Sequence, residues 1–145
     1  MPLMNDKTRT IGYWVTTGLF GVAFAAGAVG DLSGSPQVVE TLAHLGYPPY
    51  LGTILGIWKV LALLALLAPR FPRLKEWAYA GVLFDLTGAA ASHAIMGDPA
   101  SKVILPLVIL ALPLASWALR PESRKLASAP KPESEARIGK SALAT

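Results

Sequence analysis

Residues Tyr50 to Ala68 read YLGTILGIWKVLALLALLA, a run in which Lys59 is the only charged position. At about 1.5 Å rise per residue such a helix matches a hydrocarbon core of about 30 Å. Its polar residues do not recur at helical spacing, so it is not the half-buried helix of a soluble bundle. Pro48-Pro49 precede it and Pro69 closes it. The reading is a transmembrane helix that carries one lysine.

Working outward, three further runs have the same character: residues 10–32, 77–96 and 103–119. The composition agrees, with 53% hydrophobic residues against 15% charged and a mean hydropathy of +0.48, values above those of ordinary soluble domains. The expected fold is all-α: a bundle of four transmembrane helices spanning residues 1–120. In the first run, Ala23-Phe24-Ala25 resembles a signal-peptide cleavage site. The run is longer than a signal peptide's apolar region, so an uncleaved span is expected.

Lys and Arg set the orientation. Eleven of the 13 fall in the N-terminal tail, the 70–75 loop and the segment from Arg120 onward, which leaves Lys102 alone on the other side and Lys59 within a span. The positive-inside rule then places both termini in the cytoplasm, as for a multi-pass protein of an inner (plasma) membrane. The same distribution explains the net charge of +4 without nucleic acid as a partner.

Between the first two spans, Ser33 to Tyr47 predicts a short amphipathic helix on the external surface. Ser35 is its N-cap, Pro36 its first residue and Gly46 its stop, with Val38, Val39, Leu42 and Leu45 on one face. Pro113 is expected to kink the fourth span. After Pro121 the composition turns to Pro, Ser, Ala, Lys and Glu, which predicts a disordered cytoplasmic tail over 121–145.

Small residues mark where helices approach in lipid. Gly52 and Gly56 form a GxxxG pattern with Lys59 on the same stripe. Gly81, Asp85, Gly88 and Ser92 share a face of the third span, and both stripes are expected to face the interior. Lys59 and Asp85 fall near mid-span on adjacent antiparallel helices. A lone charge there costs at least roughly 2.5–3.5 kcal/mol, so the two are expected to pair. The ordinary structural reading is an ion pair that sets helix register. The functional one is a ligand-contacting or proton-sensitive site. His93, with Ser92 beside it, lies two turns from Asp85, and Asp31 ends the first span at about that level, which suggests a His93–Asp31 pair. Trp58, beside Lys59, reads more readily as a packing residue than as a stacking platform. His44 and His93 are the only histidines, and no ligand spacing supports a metal.

The chain has no cysteine, which excludes disulfides, thiol chemistry and thiol-ligated metals. Phosphate-binding GxxxxGK, HExxH and GxGxxG motifs are absent too.

Four stretches carry a resemblance: Tyr13-Trp14-Val15-Thr16-Thr17-Gly18, His44-Leu45-Gly46-Tyr47-Pro48, Gly56-Ile57-Trp58-Lys59, and Phe84 to His93. They resemble the DoxX-like family of small bacterial membrane proteins, over roughly residues 10–120. The resemblance implies the four-helix fold, and relatives in the wider family are associated with a thiosulfate:quinone oxidoreductase subunit and with oxidative-stress complexes. It therefore implies an accessory or interaction component of a membrane redox or stress-related system, rather than an enzyme in its own right. The alternatives are a subunit binding a quinone or small lipophile at Lys59, Asp85 and His93, and a small proton-linked carrier. The expected partners are the lipid bilayer, a membrane protein and a second copy of the chain.

Overall fold

The computed structural model describes residues 5–127. Within them lie five α-helices and no strand: α1 Asp6–Ser33, α2 Pro36–His44, α3 Tyr50–Leu67, α4 Pro72–Ile95 and α5 Ala100–Leu119, followed by a single 3-10 turn, Glu122–Arg124. The Asn5 side chain accepts from the Lys7 amide and so caps α1. Gly34, at φ 59°, ends it in the left-handed conformation that glycine adopts without a steric cost. Pro36 opens α2 as expected, although Ser35 makes no side-chain cap bond.

The helices α1, α3, α4 and α5 pack in a closed ring, α1 against α3 and α5, and α4 against α3 and α5, while α2 lies on α3. One end of the ring carries Asn5, the α3–α4 loop and the 3-10 turn; the other carries α2 and the α4–α5 loop. Three helices, α1, α3 and α5, are long and apolar enough to cross a membrane. Only 28%, 22% and 17% of their most apolar stretches are buried within the chain, so most of that apolar surface faces outward, as lipid-facing surface does. The helix α4 has comparable length, but Arg73, Lys75, Glu76, Asp85 and His93 dilute it. Length and composition alone therefore identify three spans, not four. The fourth apolar run forms one continuous helix, α5, with Pro106 and Pro113 inside it.

The core joins Phe20 and Phe24 of α1 to Ala65 and Leu66 of α3, Ala78, Tyr79, Val82 and Leu86 of α4, and Leu110 of α5. Polar groups inside it are paired with one another. Ser116 lies 2.6 Å from the Thr17 hydroxyl and 2.8 Å from that of Tyr79, which ties three helices together. Lys75 is 1% exposed, and its ammonium donates to the carbonyls of Ala65, Leu66 and Ala68 at the end of α3. A helix C-terminus offers such orphan carbonyls with partial negative charge.

The start of the expected tail is part of this packing. Arg124 donates to the Leu66 carbonyl and the Tyr13 hydroxyl, and its guanidinium lies 4.8 Å from the Trp14 ring centroid. Glu122 meets Arg9 at 3.2 Å. The packed unit thus runs past Pro121 to about Lys125, because Arg124 finds an aromatic face and the Leu66 carbonyl, which it shares with Lys75, at the end of the ring. The rest of the expected tail, 128–145, lies outside the described residues.

Candidate functional site

The approach of α1 to α3 builds the site. A side chain at Gly56 would lie 2.7 Å from Leu32 Cγ and 3.1 Å from Asp31 Cβ; one at Gly52 would lie 3.3 Å from Leu42 Cδ1. Without side chains there, the end of α1 lies directly on α3, and Asp31 is buried at the contact. Lys59 follows Gly56 by three residues on the same stripe. Its ammonium donates to Asp31 Oδ2 at 2.6 Å and stands 3.7 Å from Asp85 Oδ2, with the Phe24 ring 5.6 Å away.

Lys59 therefore joins three helices rather than two. The expected Lys59–Asp85 pair is present at 3.7 Å and is extended to a triad in which Asp31 is the closer partner. The reason is geometric: the glycine stripe draws α1 within reach, whereas α4 stands further off. One cation faces two carboxylates, and the looser one, Asp85, keeps lone pairs free of the ammonium.

Beside the triad a cleft of about 380 Å³ opens between α3 and α4. Phe24 and Val82 are among its inner walls; Trp58, Leu61, Leu74 and Trp77 flank it, and Gly81 leaves room on the α4 side. Trp58 is 64% exposed and Trp77 77%, so both stand at the rim. The charged lining residues are Lys59 and Asp85. The volume is that of a small-molecule site, and an apolar wall with a few convergent polar groups is the usual form of one.

This face of α4 was expected to pack inward. A side chain added at Gly81 or Gly88 would meet nothing within 4 Å, so neither glycine serves helix contact, and Gly81 shapes the cleft. Gly52 and Gly56, by contrast, stand where two helices touch.

His93 and Ser92 belong to a separate cluster at the α2 end. His93 Nδ1 lies 2.6 Å from Asp98 Oδ2, and His44 Nε2 lies 2.8 Å from Asp98 Oδ1. One carboxylate thus clasps the end of α2 to the end of α4. The Tyr47 hydroxyl lies 2.9 Å from the Ser92 hydroxyl, which in turn donates to the Gly88 carbonyl. The hydrogen bond from His93, aided by that from His44, holds the Asp98 carboxyl below its usual range. The expected His93–Asp31 pair is therefore replaced: Lys59 takes Asp31, and His93 takes Asp98, five residues along the chain. Gly97-Asp98-Pro99, with Gly97 at φ 71°, is a turn signature that places a carboxylate just past the histidine; that was the legible sign of it. Among the described residues no group of three His, Cys, Asp or Glu side chains is arranged to hold a metal.

A family model described as the DoxX-like family matches residues 15–116, which include Asp31, Lys59, Asp85, Ser92, His93 and Asp98. No curated protein and no solved structure matches the chain.

Proposed function

This chain belongs to the DoxX-like family, an integral membrane protein by its apolar helices, and on that premise we propose that it binds a lipophilic small molecule between α3 and α4. In this reading α4 is the fourth span, because α3 and α5 flank it within one ring, its Asp85 turns toward Lys59, and its Ser92 and His93 lie at the α2 end. The 11-to-1 asymmetry of Lys and Arg supports a reading in which both termini are cytoplasmic and α2 is outside, and the family supports a bacterial inner membrane as the location. Reporter fusions at Gly34 and at the C-terminus test this; a cytoplasmic signal at Gly34 would refute it.

The observation that carries the binding reading is the pairing of a donor and an acceptor at the charged end of an apolar cleft. Lys59 can donate to a carbonyl oxygen, and Asp85 can accept from a hydroxyl, within one side chain's width. A quinone headgroup offers a carbonyl oxygen to Lys59, a quinol headgroup offers hydroxyls that accept from Lys59 and donate to Asp85, and Gly81 leaves space for such a flat ring. Such a molecule, when bound, would supply electron-transfer chemistry that this cysteine-free chain lacks. Lys59 and Asp85 would orient its head, and the rim residues Trp58 and Trp77 would cover its apolar body. The protein then acts as an accessory, ligand-holding component of a membrane redox or stress-related system, with its catalytic partner elsewhere.

Gentle purification followed by mass spectrometry of the co-extracted lipophiles tests the proposal. A quinone or related lipophile should accompany the wild-type chain at near-stoichiometric amount and be lost from Gly81→Leu, in which a side chain fills the cleft. Equal recovery from both proteins would overturn it.

A further inference from the structure

The end of the ring that carries the α3–α4 loop holds eight described cations, and most have found partners. Lys75 is spent on the carbonyls of α3, Arg124 on Leu66 and Tyr13, and Arg120 on Glu76 at 2.6 Å. Arg9 and Lys125 share Glu122. Arg70, Arg73 and Lys7 have no side-chain hydrogen bond or ion pair among the described residues. Arg70 and Arg73 differ from Lys7 in their setting: they sit three residues apart, Arg70 in the α3–α4 loop and Arg73 in the first turn of α4, beside Phe71, Leu74 and Trp77, which are 60%, 45% and 77% exposed. Arg70 also holds φ 73°, a left-handed conformation that suits glycine and strains a side-chain-bearing residue. Local backbone preference therefore argues against arginine at that position.

We propose that the α3–α4 loop is a docking surface for an anionic phospholipid, with Arg70 and Arg73 holding the phosphate and the acyl chains covering Phe71, Leu74 and Trp77. Charge complementarity selects the occupant. Two guanidiniums without a partner among the described residues match, at a membrane boundary, a headgroup that carries net negative charge, and the apolar side chains beside them match the chains that hang below it. A zwitterionic lipid offers the same chains, but its own amine competes for its phosphate.

The full chain is placed in nanodiscs of mixed phosphatidylglycerol and phosphatidylcholine, and the lipids it retains are counted by native mass spectrometry. Wild type should retain phosphatidylglycerol in preference to phosphatidylcholine. Arg70→Gln with Arg73→Gln should lower that retention on the order of tenfold, whereas Lys7→Gln and Lys102→Gln, which each remove an exposed charge elsewhere, should not. Arg70→Gly with Arg73→Gln guards against a folding artefact: relief of the positive φ should raise the melting temperature while phosphatidylglycerol is still lost. Unchanged retention in both double variants would overturn the proposal, as would an equal loss in Lys7→Gln. So would a large gain in retention on removing residues 128–145, because the chain's own Glu133 and Glu135 would then be the occupants.

Discussion

Lys59 on α3 donates to Asp31 on α1 at 2.6 Å, two helices joined by one charge-assisted bond where Gly56 leaves the α3 backbone open to the Leu32 and Asp31 side chains of α1. Asp85 is the second carboxylate, 3.7 Å from the same ammonium. The two carboxylates are therefore not equivalent: one holds the fold, and the other faces the cleft.

A double-mutant cycle should separate them. Lys59→Met with Asp31→Leu should show strong coupling, since removing either partner alone leaves a buried charge. Breaking a buried pair costs about 3–5 kcal/mol in soluble proteins, and values in membranes run smaller. The Lys59–Asp85 cycle should give a lesser coupling. Asp85→Asn should keep most of the stability yet lose the co-purifying lipophile. Chemical denaturation in detergent reads the cycles, and a larger coupling to Asp85 would show that the α1 contact is not the dominant one.

The glycines should divide in the same way. Gly56→Val forces a side chain into Leu32 and Asp31 and should destabilise by about 1–3 kcal/mol, the usual range for overpacking. Gly81→Ala and Gly88→Ala meet open space and should leave the melting temperature nearly unchanged. If Gly88→Ala proved as damaging as Gly56→Val, that face of α4 would have to be covered in the membrane.

Asp98 makes the α2 clasp dependent on pH. Its carboxyl is held below the ordinary value of 3.8, so the clasp is complete above that value and is lost as pH falls through the lower, folded-state one. Hydrogen exchange in α2 should accordingly stay slow from neutral pH down to about pH 4 and quicken below it. In Asp98→Asn it should be faster throughout and flat over that acidic window. The same acid-induced step in Asp98→Asn would assign the transition to another group.

Truncation should locate the edge of the packed unit. Removing residues 128–145 should leave thermal stability intact, whereas truncation after Pro121 also deletes Arg124 with its bonds to Leu66 and Tyr13 and its place over Trp14. The second cut should cost about 1–3 kcal/mol, read as a lower melting temperature. Equal behaviour of the two truncations would mean that Arg124 contributes nothing to the fold.

The membrane character, the helical class and the positions of the helices followed from the sequence by itself. A long apolar run in a medium without water satisfies its own backbone as a helix, and Pro48-Pro49 and Pro69 mark where the helix with Lys59 begins and stops. That Lys59 and Asp85 would meet opposite charges was legible for the same reason, since a charge inside an apolar run has few tolerable surroundings. Which carboxylate each cation meets was not legible. Depth along a helix can be counted from the sequence, but rotation and approach depend on which small residues touch a neighbour. Gly56 and Gly81 look alike as letters; the first admits α1 and so delivers Asp31, while the second faces a cleft. His93 shows the complementary limit, because its partner Asp98 lies in a turn whose direction is set only when α4 and α5 pack. The Thr17–Ser116–Tyr79 bonds and the docking of Arg124 likewise join residues distant in the chain. Tertiary structure decided them because only packing brings their polar atoms to one place and leaves each no other partner.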